Sequence, residues 1–259
     1  MSKSGTAAHT EQQAQLFVKK NAEILEMIAT GKSASDIYNA IALMYEARHS
    51  GLRCSLLELK GDKLRHGGAP SLPKEYCDAV NGLQVGPGVG SCGTSTYTGK
   101  RVLVENIETD PKWADIKQAA LPHGMRCCWS EPIKDSNGKV LGAFGMYYNH
   151  PALPNEDELA DLQSAGRLAS IIMERDQREI ALRQSEKKYR RLSENSPAVV
   201  YQFKMAPDGS FSIPYINDTV ASLLDVATDD IIQEPSVLLG MIHPEDQEKI
   251  VEFNLEKLY

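Results

Sequence analysis

Gly86-Pro87-Gly88-Val89-Gly90-Ser91-Cys92-Gly93 admits three readings. Gly88, Gly90 and Gly93 fit G-x-G-x-x-G, the spacing of a dinucleotide cradle. Cys92 fits a nucleophile carried on a tight turn. The third reading is a sharp bend holding a small buried thiol. A crossover back to a parallel strand needs about a dozen residues or more. Here only Thr94–Lys100 precedes the apolar strand predicted over Arg101–Ile107, and Asn81–Pro87 before the glycines is a poor strand. The cradle is therefore excluded. A nucleophilic cysteine needs a base or a helix N-terminus to favour thiolate. Thr94–Tyr97 fits a helical turn, and His123 is the histidine that folding would have to bring near. The bend with a buried thiol needs neither.

Working outward, Glu11–Thr30 places Phe17, Ile24, Leu25 and Ile28 on one helical face, and Gly31 ends it. Ser33 and Asp36 form a helix start signal ahead of Ile37, Ile41, Met44 and Ala47. Arg53–Leu59 and Lys63–His66 read as a hairpin turning at Gly61-Asp62. Ala69–Gly82 is a loop with a short helix opened by Pro73, and Pro111–Leu121 is predicted helical. Met125–Lys134 and Lys139–Tyr148 are strands joined through Asp135-Ser136-Asn137-Gly138, a strong hairpin signal.

Cys127 and Cys128 look at first like a metal or redox pair. On a strand, neighbouring side chains point to opposite faces. Met125, Cys127, Trp129 and Ile133 are then expected on one face, with Arg126, Cys128 and Ser130 on the other. Two such cysteines do not readily share one metal. Cys127, on the apolar face with Trp129, is the one expected in a pocket wall. His123, in a Pro-His-Gly turn, is either a loop histidine or a pocket polar group or haem ligand. Bulky Trp113, Trp129, Phe144 and Tyr147 are candidates to fill a cavity with their side chains.

Asn155–Leu192 reads as one long helix, with an apolar spine from Leu159 to Leu192 and a polar stretch over Arg175–Lys188 that suits a signalling stalk. Beyond it, Val199–Lys204 and Ser212–Ile216 are short strands around Pro207-Asp208-Gly209, and helical pieces follow over Asn217–Leu224 and Glu245–Leu258. Two strands alone make a marginal sheet. The chain is expected to end inside a domain.

The 259 residues suit one or two domains. With 28 Lys+Arg against 35 Asp+Glu, the net charge of −7 and the lack of a basic run exclude nucleic acid and anionic membrane surfaces as expected partners. No apolar stretch suits a membrane span and no signal-peptide core is present, so a cytoplasmic location is expected. Five cysteines without C-x-x-C spacing read as reduced thiols.

Cys54-Ser-Leu-Leu, Gly68-Ala-Pro-Ser-Leu-Pro73, Gly86–Gly93, Asp110-Pro-Lys-Trp113, Cys128-Trp-Ser-Glu-Pro-Ile133 and Gly138-Lys-Val-Leu-Gly142 occur in the order found in bacterial GAF domains. The chain resembles the GAF subgroup of multidomain sensors ending in histidine kinase or diguanylate cyclase/phosphodiesterase modules. Tyr189–Pro197, Val200-Tyr-Gln-Phe203, Pro207-Asp-Gly209, Pro214-Tyr-Ile216 and Ile242-His-Pro-Glu-Asp246 resemble the first half of a PAS domain.

The resemblance implies an α+β fold: a central antiparallel sheet, helices on one face, and a loop-covered pocket on the other. It implies a GAF domain over 12–178, a helical linker over 179–193 and a truncated PAS unit over 194–259. The expected function is sensory input in two-component or cyclic-di-GMP signalling, without catalytic or metal-ligating residues. Cys92, Tyr97, Trp113, His123, Cys127, Trp129 and Phe144 are the expected pocket residues. The expected partners are an unidentified small molecule, a second copy through the terminal helices, and an output domain outside this chain.

No cyclic-nucleotide signature is present, and no cysteine has the following histidine of bilin-binding domains, so no cofactor is assigned. Two alternatives stay open. One is a thiol-dependent redox enzyme resembling free methionine-R-sulfoxide reductases, with Cys92 and Cys127 or Cys128 in similar places. The other is an interaction-only dimerisation module with an occluded pocket.

Overall fold

A computed structural model describes residues 3–206, 208 and 210–246. The chain divides into two compact units that meet between Arg178 and Glu179. In the first, helices α1 (Lys3–Ala29) and α2 (Ala34–Arg48) precede the hairpin β1 (Arg53–Lys60) and β2 (Lys63–Gly68). Helices α3 (Lys74–Val80) and α4 (Gly90–Thr98), strand β3 (Val102–Val104) and the short helix α5 (Lys117–Ala120) follow. Strands β4 (Cys127–Lys134) and β5 (Val140–Tyr148) lead into the long helix α6 (Glu156–Glu194). The five strands pair antiparallel in the order β2-β1-β5-β4-β3.

Local chemistry sets the elements. Ser33 caps α2, its hydroxyl oxygen accepting from the Asp36 backbone N–H at 3.2 Å and donating to the Asp36 carboxylate at 2.7 Å. The helix then buries Ile37, Tyr38, Ile41, Ala42, Met44 and Tyr45, which recur at helical spacing. Asp135 closes the β4–β5 hairpin by accepting from the backbone N–H groups of Asn137 and Lys139. At Gly142 a Cβ would fall 2.0 Å from the Leu57 carbonyl oxygen, so the β1–β5 pairing admits only glycine there.

The sheet separates two cores. Cys54, Leu56, Cys127, Trp129, Phe144, Met146 and Tyr148 face the helices, packing with Ile24 of α1, the α2 stripe, and Leu162, Ala165, Ala169 and Ile172 of α6. Leu57, Cys128, Ala143 and Tyr147 face the other way, under Leu72, Tyr76, Cys92, Ile107 and Trp113. Polar contacts tie α6 to its neighbours. Asp161 accepts from Arg48 Nε at 2.5 Å and lies 2.7 Å from His49 Nε2. Arg175 Nη1 donates to the Ile28 carbonyl oxygen at the end of α1 at 2.8 Å. Glu174 accepts from the Ser136 backbone N–H at 2.8 Å.

The second unit holds the hairpin β6 (Tyr201–Met205) and β7 (Phe211–Ile216), then α7 (Thr219–Leu224), α8 (Thr228–Gln233) and α9 (Ser236–Gly240). Ile213, Ile216, Val220 and Ile231 form its small core. Buried Asn217 organises it, accepting from the Val200 backbone N–H and donating to the carbonyls of Ser193 and Ala198.

Three expectations change. The strand predicted over Arg101–Ile107 is shorter. The helix predicted over Pro111–Leu121 splits into a 3-10 turn at Pro111–Trp113, α5, and a second turn at Leu121–His123, because Asp110 caps Lys112 and Ile116 leaves helical geometry. Met125 precedes β4 and is buried with Cys128 rather than on the face of Cys127. Pro207 and Gly209 of the expected turn, and most of the helix expected over Glu245–Leu258, lie outside the described residues. No helix among the described residues is long and apolar enough to cross a membrane.

Candidate functional site

The glycine stretch makes the expected bend over Gly86–Val89, with Gly88 at φ +84°, and then opens α4. Gly90, at φ +60°, is the first helical residue, and a Cβ there would stand 2.8 Å from Ile116 Cδ1 and 3.4 Å from the Trp113 ring. The glycine thus lets the helix begin beneath Trp113. The indole Nε1 of Trp113 donates to Ser91 Oγ at 3.1 Å, and Ser91 Oγ donates to the Cys128 carbonyl oxygen at 2.9 Å. These two bonds fix the first turn of α4 against β4.

Between α4, α3 and the sheet lies a cavity of about 30 Å³, walled by Leu57, His66, Tyr76, Cys92, Trp113 and Tyr147 among others. That space suits one or two water-sized molecules. Its lining holds no Lys, Arg, Asp or Glu. Tyr147 centres a buried polar cluster: its hydroxyl is 3.2 Å from Ser55 Oγ, 3.4 Å from the Tyr76 hydroxyl and 3.8 Å from Cys92 Sγ. Gly145 makes room for it, since a Cβ there would come within 2.9 Å of Cys92 Sγ.

His66 stands out in this wall. Its backbone N–H donates to Asn81 Oδ1, yet both ring nitrogens are buried without a hydrogen-bond partner. Burial pushes its pKa down to about 4, with nearby Asp78 partly opposing. The imidazole is therefore neutral at pH 7 and offers one donor and one acceptor. Cys92 is held below the ordinary thiol range, first by its polar interaction with Cys128 and also by the Tyr147 hydroxyl, against the cost of burial. Burial pushes Cys128 well up, and its contact with Cys92 adds to this.

Of the residues expected in the pocket, Cys92 and Trp113 lie in this wall. Cys127, Trp129 and Phe144 do not: they sit in the core between sheet and helices. There burial pushes the Cys127 thiol up to about 11, and the Trp129 indole donates to the Ala152 carbonyl. Tyr97 is 59% exposed on the outer side of α4. His123 is half-buried and outside the cavity wall, its carbonyl accepting from Arg53 Nη1 at 3.2 Å. Sequence reasoning missed His66, Tyr76 and Ser91; it named Tyr147 only as a side chain that could fill the cavity, and Cys128 only in the redox alternative.

A larger groove of about 190 Å³ runs between α1 and α2, lined by Phe17, Ile24, Met27 and Met44, with Lys20 and Glu23 also bordering it. It has no orphaned buried polar atom among its lining residues. The smaller cavity carries the chemistry.

The site is thus framed by an antiparallel sheet with helices on one face and a small polar-studded cavity on the other. The chain belongs to the GAF domain family, which matches residues 40–174. It is 35% identical over 220 residues to the methyl sulfide methyltransferase-associated sensor of Methanosarcina acetivorans, an alignment covering 84% of this chain and 22% of that protein. The chain thus spans a minor part of that relative's length. Among solved structures, the GAF domain of an Acinetobacter phosphoenolpyruvate-protein phosphotransferase is 14% identical, with a TM-score of 0.47 over 61% of this chain and 93% of that one. A type II free methionine-R-sulfoxide reductase from Thermoplasma acidophilum is 16% identical, with a TM-score of 0.46 over 54% of this chain and 92% of that one.

Proposed function

We propose that this chain is the sensory input part of a longer signalling protein, and that its GAF domain binds a small neutral molecule in the cavity beside His66. The observation carrying this reading is the pair of orphaned ring nitrogens of His66 in a wall without charged side chains. Leaving buried polar atoms unpaired costs about 1–3 kcal/mol each, a cost that a hydrogen-bonding guest offsets. The uncharged lining disfavours phosphate-bearing guests, which require cationic or clustered amide donors. It favours a compact, uncharged compound with one donor or acceptor. A guest larger than one or two waters requires the α3 segment to shift outward.

The relative's name joins a sensor to a methyltransferase, and the likeness supports a comparable regulatory role here. Occupancy would reach α6 through β4 and β5, whose connecting turn contacts Glu174. Exposed Leu182, Tyr189 and Leu192 suit helix pairing in a homodimer. The second unit reads as the opening of a PAS domain, and a histidine kinase or cyclic-di-GMP module as the output. The chain itself acts without catalysis. Native mass spectrometry of the full chain tests the binding reading. A bound mass released on denaturation is expected, absent from Leu83→Phe, which enlarges a side chain of the cavity wall. Identical spectra for both proteins, with no bound mass, would count against it.

A further inference from the structure

The pairing register puts a second feature beside the cavity. Cys128 on β4 lies opposite Tyr147 on β5, and Ser130 lies opposite Gly145. Cys92 Sγ, descending from α4, reaches the sheet at these residues, 3.8 Å from the Tyr147 hydroxyl and against the bare face of Gly145. Cys128, directly opposite Tyr147 in the ladder, shares that face and is buried in the same core, close enough to Cys92 for the two thiols to perturb each other. The Ser91–Cys128 bond holds the two backbones together one residue away from Cys92. Cys54 and Cys127 face the opposite core.

We propose that Cys92 and Cys128 are an oxidation site: a buried dithiol that a peroxide entering the cavity converts reversibly to a disulfide. Cys92 borders the cavity, whose volume of about 30 Å³ admits a molecule the size of hydrogen peroxide. The two thiols divide the labour. Cys92 sits in the first turn of α4, where unpaired backbone N–H groups favour negative charge, and the Tyr147 hydroxyl lies 3.8 Å from its sulfur. Cys128, buried and held as thiol, resolves the intermediate.

In the first step the Cys92 thiolate attacks one peroxide oxygen. The O–O bond breaks, hydroxide leaves and is protonated to water, and Cys92 becomes a sulfenic acid. In the second, Cys128 gives up its proton and its sulfur attacks the Cys92 sulfur. Hydroxide is displaced and takes that proton. Two thiols and one peroxide thus yield one disulfide and two waters, a two-electron oxidation. A dithiol reductant reverses it. The bond would draw the first turn of α4 onto β4, changing the cavity that Cys92 borders. This site stands independently of any ligand bound beside His66.

The test treats the reduced full chain with hydrogen peroxide, blocks remaining thiols under native conditions, and maps non-reduced peptides by mass spectrometry. A linked peptide pair joining Cys92 to Cys128 is expected in the wild type and in Cys127→Ser. In Cys128→Ser the linkage disappears, and dimedone labels Cys92. Far-ultraviolet circular dichroism checks that each variant is folded. Linkage through Cys77, or thiols at Cys92 and Cys128 that stay alkylatable after peroxide treatment and denaturation of the wild type, would overturn the assignment.

Discussion

The Tyr147 hydroxyl lies 3.8 Å from Cys92 Sγ, and the same oxygen contacts Ser55 and Tyr76. One oxygen thus joins two strands and two helices in a dry interior. Tyr147→Phe keeps the ring and its edge-on contact with Tyr76 but strands three buried polar partners. A loss of about 1–3 kcal/mol in urea unfolding is expected. Because Tyr147 also supports the low thiol pKa of Cys92, alkylation of Cys92 at neutral pH is expected to slow in the same variant.

His66 sets a pH dependence. Its pKa is about 4 in the folded chain, against 6.5 when free. Between those values the unfolded chain binds the proton and the folded chain does not. Stability is then greatest above the free value and falls as pH drops toward 4, by an amount on the order of 3 kcal/mol for this group. His66→Leu removes the titration. Plots of unfolding free energy against pH for the two proteins should diverge across this window, and parallel curves would show that His66 is not buried as described.

Asp161 joins α2 to α6 through Arg48 and His49. The carboxylate is nearly buried, whereas Arg48 is about one-third exposed and retains some hydration. Asp161→Ala should therefore cost roughly 2 kcal/mol, less than a fully buried ion pair would. Amide hydrogen exchange should quicken in α6 around residue 161 and at the end of α2 more than in β4 and β5.

The helix-pairing proposal has its own check. Leu182 and Tyr189 are one heptad apart on α6, 60% and 70% exposed. Replacing both by Glu should convert a dimer to a monomer in light scattering, with an unchanged circular dichroism spectrum. A wild-type monomer at micromolar concentration would remove the stalk from the account.

Much of this architecture is legible in the sequence. Asp135–Gly138, Ser33–Asp36 and Gly61-Asp62 announce their turns and caps because one or two local hydrogen bonds decide them. The alternation at Cys127-Cys128 correctly separates two faces. It does not say which face meets the helices, because both carry apolar side chains and a cysteine. Size offers the missing signal. Along β5, Phe144, Met146 and Tyr148 are bulky and fill the core against the helices, while Ala143 and Gly145 leave the space that α4 and Cys92 occupy. Leu64 and His66 share one face of β2 by the same alternation, which points His66 inward with Leu64. Its lack of a partner is tertiary, set by what α3 covers, and no local pattern encodes it.

Fluorescence can report the proposed binding of a small uncharged guest beside His66. The chain has two tryptophans, Trp113 in the cavity wall and Trp129 in the opposite core. Trp129→Phe therefore leaves a single reporter at the site. Fluorescence titration of this variant with a panel of small neutral heteroaromatic compounds is the most direct measurement. At least one compound should change Trp113 emission saturably, and the response should vanish when Leu83→Phe is added. No response from any compound, or an equal response with the cavity filled, would contradict it.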